Sequence, residues 1–215
     1  MKIKLLLFAI IGTFLFTSCG FWGVRGSGKV VEEKRMIDEF ESLEASGAFT
    51  IKIKVGESPS IKIYAESNLL KLINTHVKGN TLVIDTKKNI SPRKEIKIFI
   101  TTPMLSSISC SGANSIVAEN IDSDNFDVDL SGAGNIDLLG KVETLRAEIS
   151  GAGNIDAKDL QANDVEISVS GAASADVYAK EYLDASVSGV GSIDYYGNPK
   201  KIDTNVSGVG SITRK

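Results

Sequence analysis

Leu130-Ser131-Gly132-Ala133-Gly134-Asn135-Ile136-Asp137 decides how this chain folds, because the same stretch returns, slightly altered, along the C-terminal half. The later copies are Ser150-Gly151-Ala152-Gly153-Asn154-Ile155-Asp156, Ser170-Gly171-Ala172-Ala173-Ser174-Ala175-Asp176, Ser188-Gly189-Val190-Gly191-Ser192-Ile193-Asp194 and Ser207-Gly208-Val209-Gly210-Ser211-Ile212-Thr213. A degenerate first copy stands at Ser111-Gly112-Ala113-Asn114-Ser115-Ile116-Val117. Successive serines lie 20, 19, 20, 18 and 19 residues apart, and a fixed period of this size marks a stacked array. Within a copy, Phe126, Val128, Leu130, Gly132, Gly134, Ile136 and Leu138 alternate with Asp127, Asp129, Ser131, Ala133, Asn135 and Asp137. Period two is strand, not helix.

A strand with one apolar face cannot fold alone. Coils stacked in register bury a shared apolar column and pair each backbone group with the coil above and below. The predicted fold is therefore all-β: a β-solenoid, or β-helix, of coils about 19 residues long. The glycines of each copy sit on the inward frame, so either the chain bends there or another backbone packs closely against it. Cys110 takes the same inward position as Leu130, Ile149, Val169, Val187 and Val206 and reads as a small buried hydrophobe.

Upstream, four segments alternate apolar residues with polar ones, lysine foremost: Phe49-Thr50-Ile51-Lys52-Ile53-Lys54-Val55, Ser60-Ile61-Lys62-Ile63-Tyr64-Ala65, Thr81-Leu82-Val83-Ile84-Asp85 and Glu95-Ile96-Lys97-Ile98-Phe99-Ile100. Outward lysines keep such strands soluble and blunt edge pairing. Between them, Asn68-Leu69-Leu70-Lys71-Leu72-Ile73-Asn74 has helical spacing behind an asparagine cap, which predicts one short helix. Lys78-Gly79-Asn80 predicts a hairpin turn. Pro103 marks the change to the repeats, yet Ser46-Gly47-Ala48-Phe49 echoes them, so the boundary is soft.

The N-terminus reads differently. Lys2 and Lys4 precede an apolar run through Leu15-Phe16, followed by Thr17-Ser18 and then Cys19. This is an export signal, too short to be a comfortable membrane span. It is similar to the signals of bacterial lipoproteins, which implies lipidation of Cys19. Residues 20–36, glycine-rich and then mixed in charge without periodicity, read as a tether. The expected organisation is a signal over 1–18, a lipid-anchored tether over 19–37, an N-terminal β region capping the solenoid over 38–103 and the repeats over 104–215.

The lipoprotein-type signal, the lysine-alternating strands, Asn68-Leu69-Leu70, the run from Ile98 to Pro103 and the Ser-Gly-Ala-Gly-Asn-Ile-Asp coils together resemble the autotransporter adhesin head GIN domain family. The resemblance covers roughly residues 38 to 215. It implies a β-helical fold and, by analogy with adhesin heads, surface attachment. It carries over no catalytic or binding residue.

Chemistry is sparse. The net charge of −3 and the lack of a clustered basic surface argue against nucleic acid. Gly23-Val24-Arg25-Gly26-Ser27-Gly28-Lys29-Val30 nearly spells a phosphate-binding loop, but Val30 stands where a Mg²⁺-binding hydroxyl belongs. With His76 the one histidine and Cys19 and Cys110 the two cysteines, no zinc cluster or histidine triad can assemble. No cofactor is expected.

What remains is an outward ladder, and it is the candidate binding face: Ser131, Ser150, Ser170 and Ser188; Asn135, Asn154, Ser174 and Ser192; Asp137, Asp156, Asp176 and Asp194. At a coil spacing of about 4.8 Å, neighbouring aspartates repel by about 0.9 kcal/mol even in water. Ca²⁺, hydrogen bonds from the Ser and Asn rows, or splaying into solvent would relieve this. Carboxylate rows on a β-helix also suit polysaccharide lyases and glycosidases, although catalysis needs one differentiated pair and these recur evenly. The sequence reading is a non-enzymatic, adhesin-like protein of the cell envelope, lipid-anchored at the outer membrane. It would take a surface glycan or protein ligand, with oligomerisation left open. The alternatives are a carbohydrate-active enzyme and a structural envelope protein with a protein partner.

Overall fold

A computed structural model of the chain describes residues 23–215. Four long strands, β11 (Ser115–Leu130), β12 (Asn135–Ile149), β13 (Asn154–Gly171) and β14 (Ser174–Gly189), each run most of the way round a coil and pair in parallel with the next. β15 (Ser192–Tyr196), β16 (Lys201–Gly208) and β17 (Ser211–Arg214) continue the stack, giving a β-solenoid of about five turns. Equivalent repeat positions are register partners: Asn135 with Asn154, Ile136 with Ile155, Asp137 with Asp156.

The alternation predicted from sequence sets the inside and the outside. Ile116, Ile136, Ile155, Ala175 and Ile193 stack as one buried row, and Phe126, Leu145, Val165 and Leu183 as another. Cys110 is buried in line with Leu130, and burial pushes its thiol above the usual range. Both readings of the repeat glycines hold. At Gly171, φ is +129°, the left-handed bend that glycine alone adopts freely. At Gly151 the need is space, since a Cβ would stand 2.2 Å from the Gly132 carbonyl oxygen.

The same sheet runs on into the N-terminal region. β3 (Ser42–Gly47) pairs in parallel with β10 (Ser107–Gly112), and β4 (Thr50–Val55) with β11. Ser46 therefore lies over Ser111, hydroxyl to hydroxyl at 2.9 Å. In this wider first coil the buried Asn114 fills the gap, accepting from the Phe49 N–H at 3.0 Å and donating to the Ser111 carbonyl at 2.7 Å. β7 (Thr81–Thr86) and β9 (Lys97–Thr102) add one more parallel layer. The stack then closes by switching direction: β6 (Ile73–Lys78) lies antiparallel on β7, β5 (Ser60–Glu66) on β9, and β2 (Val30–Arg35) on β5. The hairpin joining β6 and β7 turns at Gly79-Asn80 with Gly79 at φ +61°, as expected for glycine in a two-residue turn.

Two expectations change. The helix at 68–74 is a single 3-10 turn, Leu70–Leu72, because Ile73 already begins β6 and buries its side chain there. The tether is folded from residue 24 onward. β1 (Val24–Arg25) pairs with β8 (Ile90–Ser91), and β2 is a strand whose charges disguise its period. Val31 packs against the core, while the Arg35 guanidinium donates to the Ile73 and Leu70 carbonyls at 2.8 and 2.9 Å. The proposed signal and Cys19 lie outside the described residues.

Candidate functional site

The corner and the strand that follows it bring the sequence-predicted face together. Asn135, Asn154, Ser174 and Ser192 form one row, and Asp137, Asp156, Asp176 and Asp194 the next. Ser170 and Ser188 are register partners, and the Ser150 N–H donates to the Leu130 carbonyl at 2.9 Å, which seats it one coil above Ser131. Ser131, Ser150, Ser170 and Ser188 are all exposed.

Along the amide row the side chains bond to each other. Asn154 Nδ2 donates to Asn135 Oδ1 at 2.9 Å, and Ser174 Oγ donates to Asn154 Oδ1 at 2.6 Å. These bonds orient the Asn135 and Asn154 amides and join three members of the row into a polar strip. Towards the C-terminal coils it borders a shallow groove of about 540 Å³ lined by Asn154, Ala172, Ser174, Val190, Ser192 and Val209. Val190 and Val209 are 63% and 78% exposed, so this end of the face is apolar as well as polar.

The aspartate row meets its own repulsion with protein groups. Lys158, two residues beyond Asp156 on the same outward side, pairs with it. Lys215 Nζ lies 3.0 Å from Asp194, and the Tyr196 hydroxyl donates to Asp176 at 3.4 Å. Partial burial and then the neighbouring carboxylates still hold Asp137 and Asp176 above the ordinary aspartate value, while the nearby carboxylates raise Lys158 and Lys215. The sequence reading offered calcium, hydrogen bonds and splaying as sources of relief and named neither lysine. Yet Lys158 was legible as the same-face neighbour of Asp156. Among the described residues no three His, Cys, Asp or Glu side chains converge as a metal site.

The next outward rows, on the run from 126 to 130 and its equivalents, were not singled out from sequence. Asp127, Arg146, Glu166 and Asp184 stack in register beside Asp129 and Glu148. Together they line a groove of about 580 Å³. Arg146 and Glu166 pair at 3.2 Å, and the other carboxylates leave the groove acidic. The signal was available, since each residue recurs at the coil period in the outward frame. A third groove, of about 430 Å³, is lined by Lys141, Glu143, Gln161, Asn163, Tyr178 and Lys180 among others. Its mixed charge and its amides distinguish it from the acidic one.

Asp137 and Asp176 do not form a differentiated acid–base pair. General acid and base are recognised by carboxylates whose environments push them in opposite directions, whereas Asp137 and Asp176 move the same way for the same causes. The near phosphate-binding loop is also closed. The Gly28 N–H that a phosphate would need donates to the buried Glu66 carboxylate instead.

Comparison with known proteins agrees with this architecture. A putative adhesin from Bacteroides fragilis NCTC 9343 is 30% identical, with 90% of this chain matched to 100% of that one at a TM-score of 0.76. A putative adhesin from Parabacteroides merdae ATCC 43184 (20% identical, 90% and 99% covered, TM-score 0.59) and a putative lipid binding protein from Parabacteroides distasonis ATCC 8503 (21%, 89% and 99%, 0.54) share the fold. Among curated proteins none matches. A family model matches residues 39–199, most of the chain, and the chain belongs to the family described as "Putative auto-transporter adhesin, head GIN domain".

Proposed function

We propose that this protein is a lipid-anchored, adhesin-like binding protein of the cell envelope with no catalytic role. Its contact surface is the exposed face of Ser150, Asn154, Ser170 and Ser174 with the groove beside it. The observation that carries the reading is the repetition itself. The same hydroxyl and carboxylate positions recur in register coil after coil, with Asn135, Asn154 and Ser174 joined by hydrogen bonds, and this suits an extended ligand laid across the coils better than a single reacting bond. Family membership and the adhesin-like neighbours support binding over catalysis. A surface glycan or a protein segment would meet the strip through its hydroxyls and amides, and Val190 and Val209 would add apolar contact.

The test is the triple variant Ser150→Lys, Asn154→Lys, Ser170→Lys. All three side chains are exposed, so the fold survives, read by circular dichroism and melting. Capture on glycan arrays and envelope-protein panels is expected to be lost. A folded triple variant that binds like the parent would remove the face from consideration.

A further inference from the structure

Charge is segregated along the chain. Residues 23–103 carry fourteen Lys and Arg against ten Asp and Glu, and residues 104–215 carry eight against seventeen. The basic excess gathers at one place. β1 pairs with β8, and the Val24 and Gly26 N–H groups donate to the Asn89 and Ser91 carbonyls at 2.9 and 3.0 Å. This pairing sets residues 23–31 beside residues 86–94. The two segments contribute Arg25, Lys29, Lys87, Lys88, Arg93 and Lys94, all exposed, and contain no acidic residue. Among the described residues, none of the six takes part in an ion pair. The nearby Glu66 is buried and committed to the Gly28, Arg93 and Lys94 N–H groups.

Cys19 stands only four positions before Gly23. Gly23 is already pressed against the fold, a Cβ there standing 2.9 Å from the Ile90 carbonyl carbon. Four residues of extended chain reach at most about 14 Å. A lipid on Cys19 would therefore hold the six cations close to the headgroups, where attraction to anionic lipid is little screened.

We infer that Arg25, Lys29, Lys87, Lys88, Arg93 and Lys94 form a docking surface for the anionic headgroups of the bilayer that carries the anchor. This rests on the lipid anchor proposed above. Docked this way, the antiparallel end of the solenoid faces the membrane and the acidic coils, with their binding face, point away from it.

The probe is vesicles of equal parts phosphatidylglycerol and phosphatidylcholine against vesicles of pure phosphatidylcholine. The protein is the processed chain from residue 19 with Cys19→Ser, which keeps every described residue and removes the lipid. Despite its acidic total charge, it is expected to sediment with the anionic vesicles and not the neutral ones, and to release as salt rises. Removing four charges (Lys87→Gln, Lys88→Gln, Arg93→Gln, Lys94→Gln) should weaken binding by about fivefold per charge. The matched change on the coils (Lys141→Gln, Lys158→Gln, Lys200→Gln, Lys201→Gln) should leave it intact. Equal binding to neutral vesicles, an equal loss in the coil variant, or binding to heparin with none to vesicles would overturn the docking surface. Fatty-acid labelling in cells separates the two layers. A labelled Cys19 with no vesicle binding overturns the patch and leaves the anchor, whereas an unlabelled Cys19 overturns the anchor and with it the orientation.

Discussion

Gly151 lies directly against the carbonyl oxygen of Gly132, so close that a Cβ would stand 2.2 Å from it. The obstacle is backbone, held in turn by the Ala152 N–H donating to that same carbonyl at 3.0 Å. Neither partner can yield without breaking the corner. Gly151→Ala should therefore cost about 1–3 kcal/mol, the usual penalty of overpacking, and should lower the urea midpoint. Ala152→Ser, one residue on and exposed, should leave it unchanged. Equal midpoints for the two variants would mean that the corner is looser than this packing.

Asp176 sits between Asp156 and Asp194, and burial together with both neighbours raises its carboxyl above the ordinary value of 3.8. A raised acid binds its proton more tightly folded than unfolded. Its contribution to stability is therefore full in acid and is lost as pH rises through the ordinary value and the raised one. Asp176→Asn should raise the melting temperature at neutral pH, and the gain should vanish in acid, where the parent is already protonated. Because Lys158, Lys215 and Tyr196 already meet the row's charge, a calcium chelator should leave the melting temperature of the parent unchanged. A fall on chelation would mean that a cation rather than these side chains balances the ladder, and a gain from Asp176→Asn that persists in acid would mean that the gain does not come from the charge of the carboxylate.

The coils were legible because each carries its information locally. A strict period of two fixes which side chains point inward, and a constant coil length fixes which stack, so the Asn135, Asn154 and Ser174 row follows from the sequence alone. What escaped depends on pairing between distant segments. Glu32 and Lys34 look like linker residues until β5 pairs with them, and Leu69-Leu70 looks helical until Ile73 is drawn into the β6 strand beside β7. The acidic groove was missed for another reason. Asp127 and Arg146 occupy the same outward position but differ in charge, so the eye reads solvated surface instead of a row.

Glu66 joins the first described strands to the rest of the molecule. Its buried carboxylate accepts the Arg93 N–H at 2.7 Å and the Lys94 N–H at 3.3 Å, together with the Gly28 N–H. Burial alone would push the carboxyl up, but the three backbone donors outweigh it and hold it below the ordinary value of 4.5. A depressed acid binds fewer protons folded than unfolded. Its stabilisation is complete above the ordinary glutamate range and is lost as pH falls through that range and below. In the parent, hydrogen exchange of the amides in residues 24–35 should stay slow at neutral pH and, after correction for intrinsic rates, quicken in acid before that of the coils. Glu66→Gln keeps one acceptor but turns a donating amide towards N–H groups that need an acceptor. It should loosen residues 24–35 at neutral pH and erase the acid step, while the Asn135 to Asn154 coils exchange as before. If the Glu66→Gln protein protects residues 24–35 like the parent, then β2 is held by its pairing with β5 alone, and the segment that leads to Cys19 needs no carboxylate to fix it.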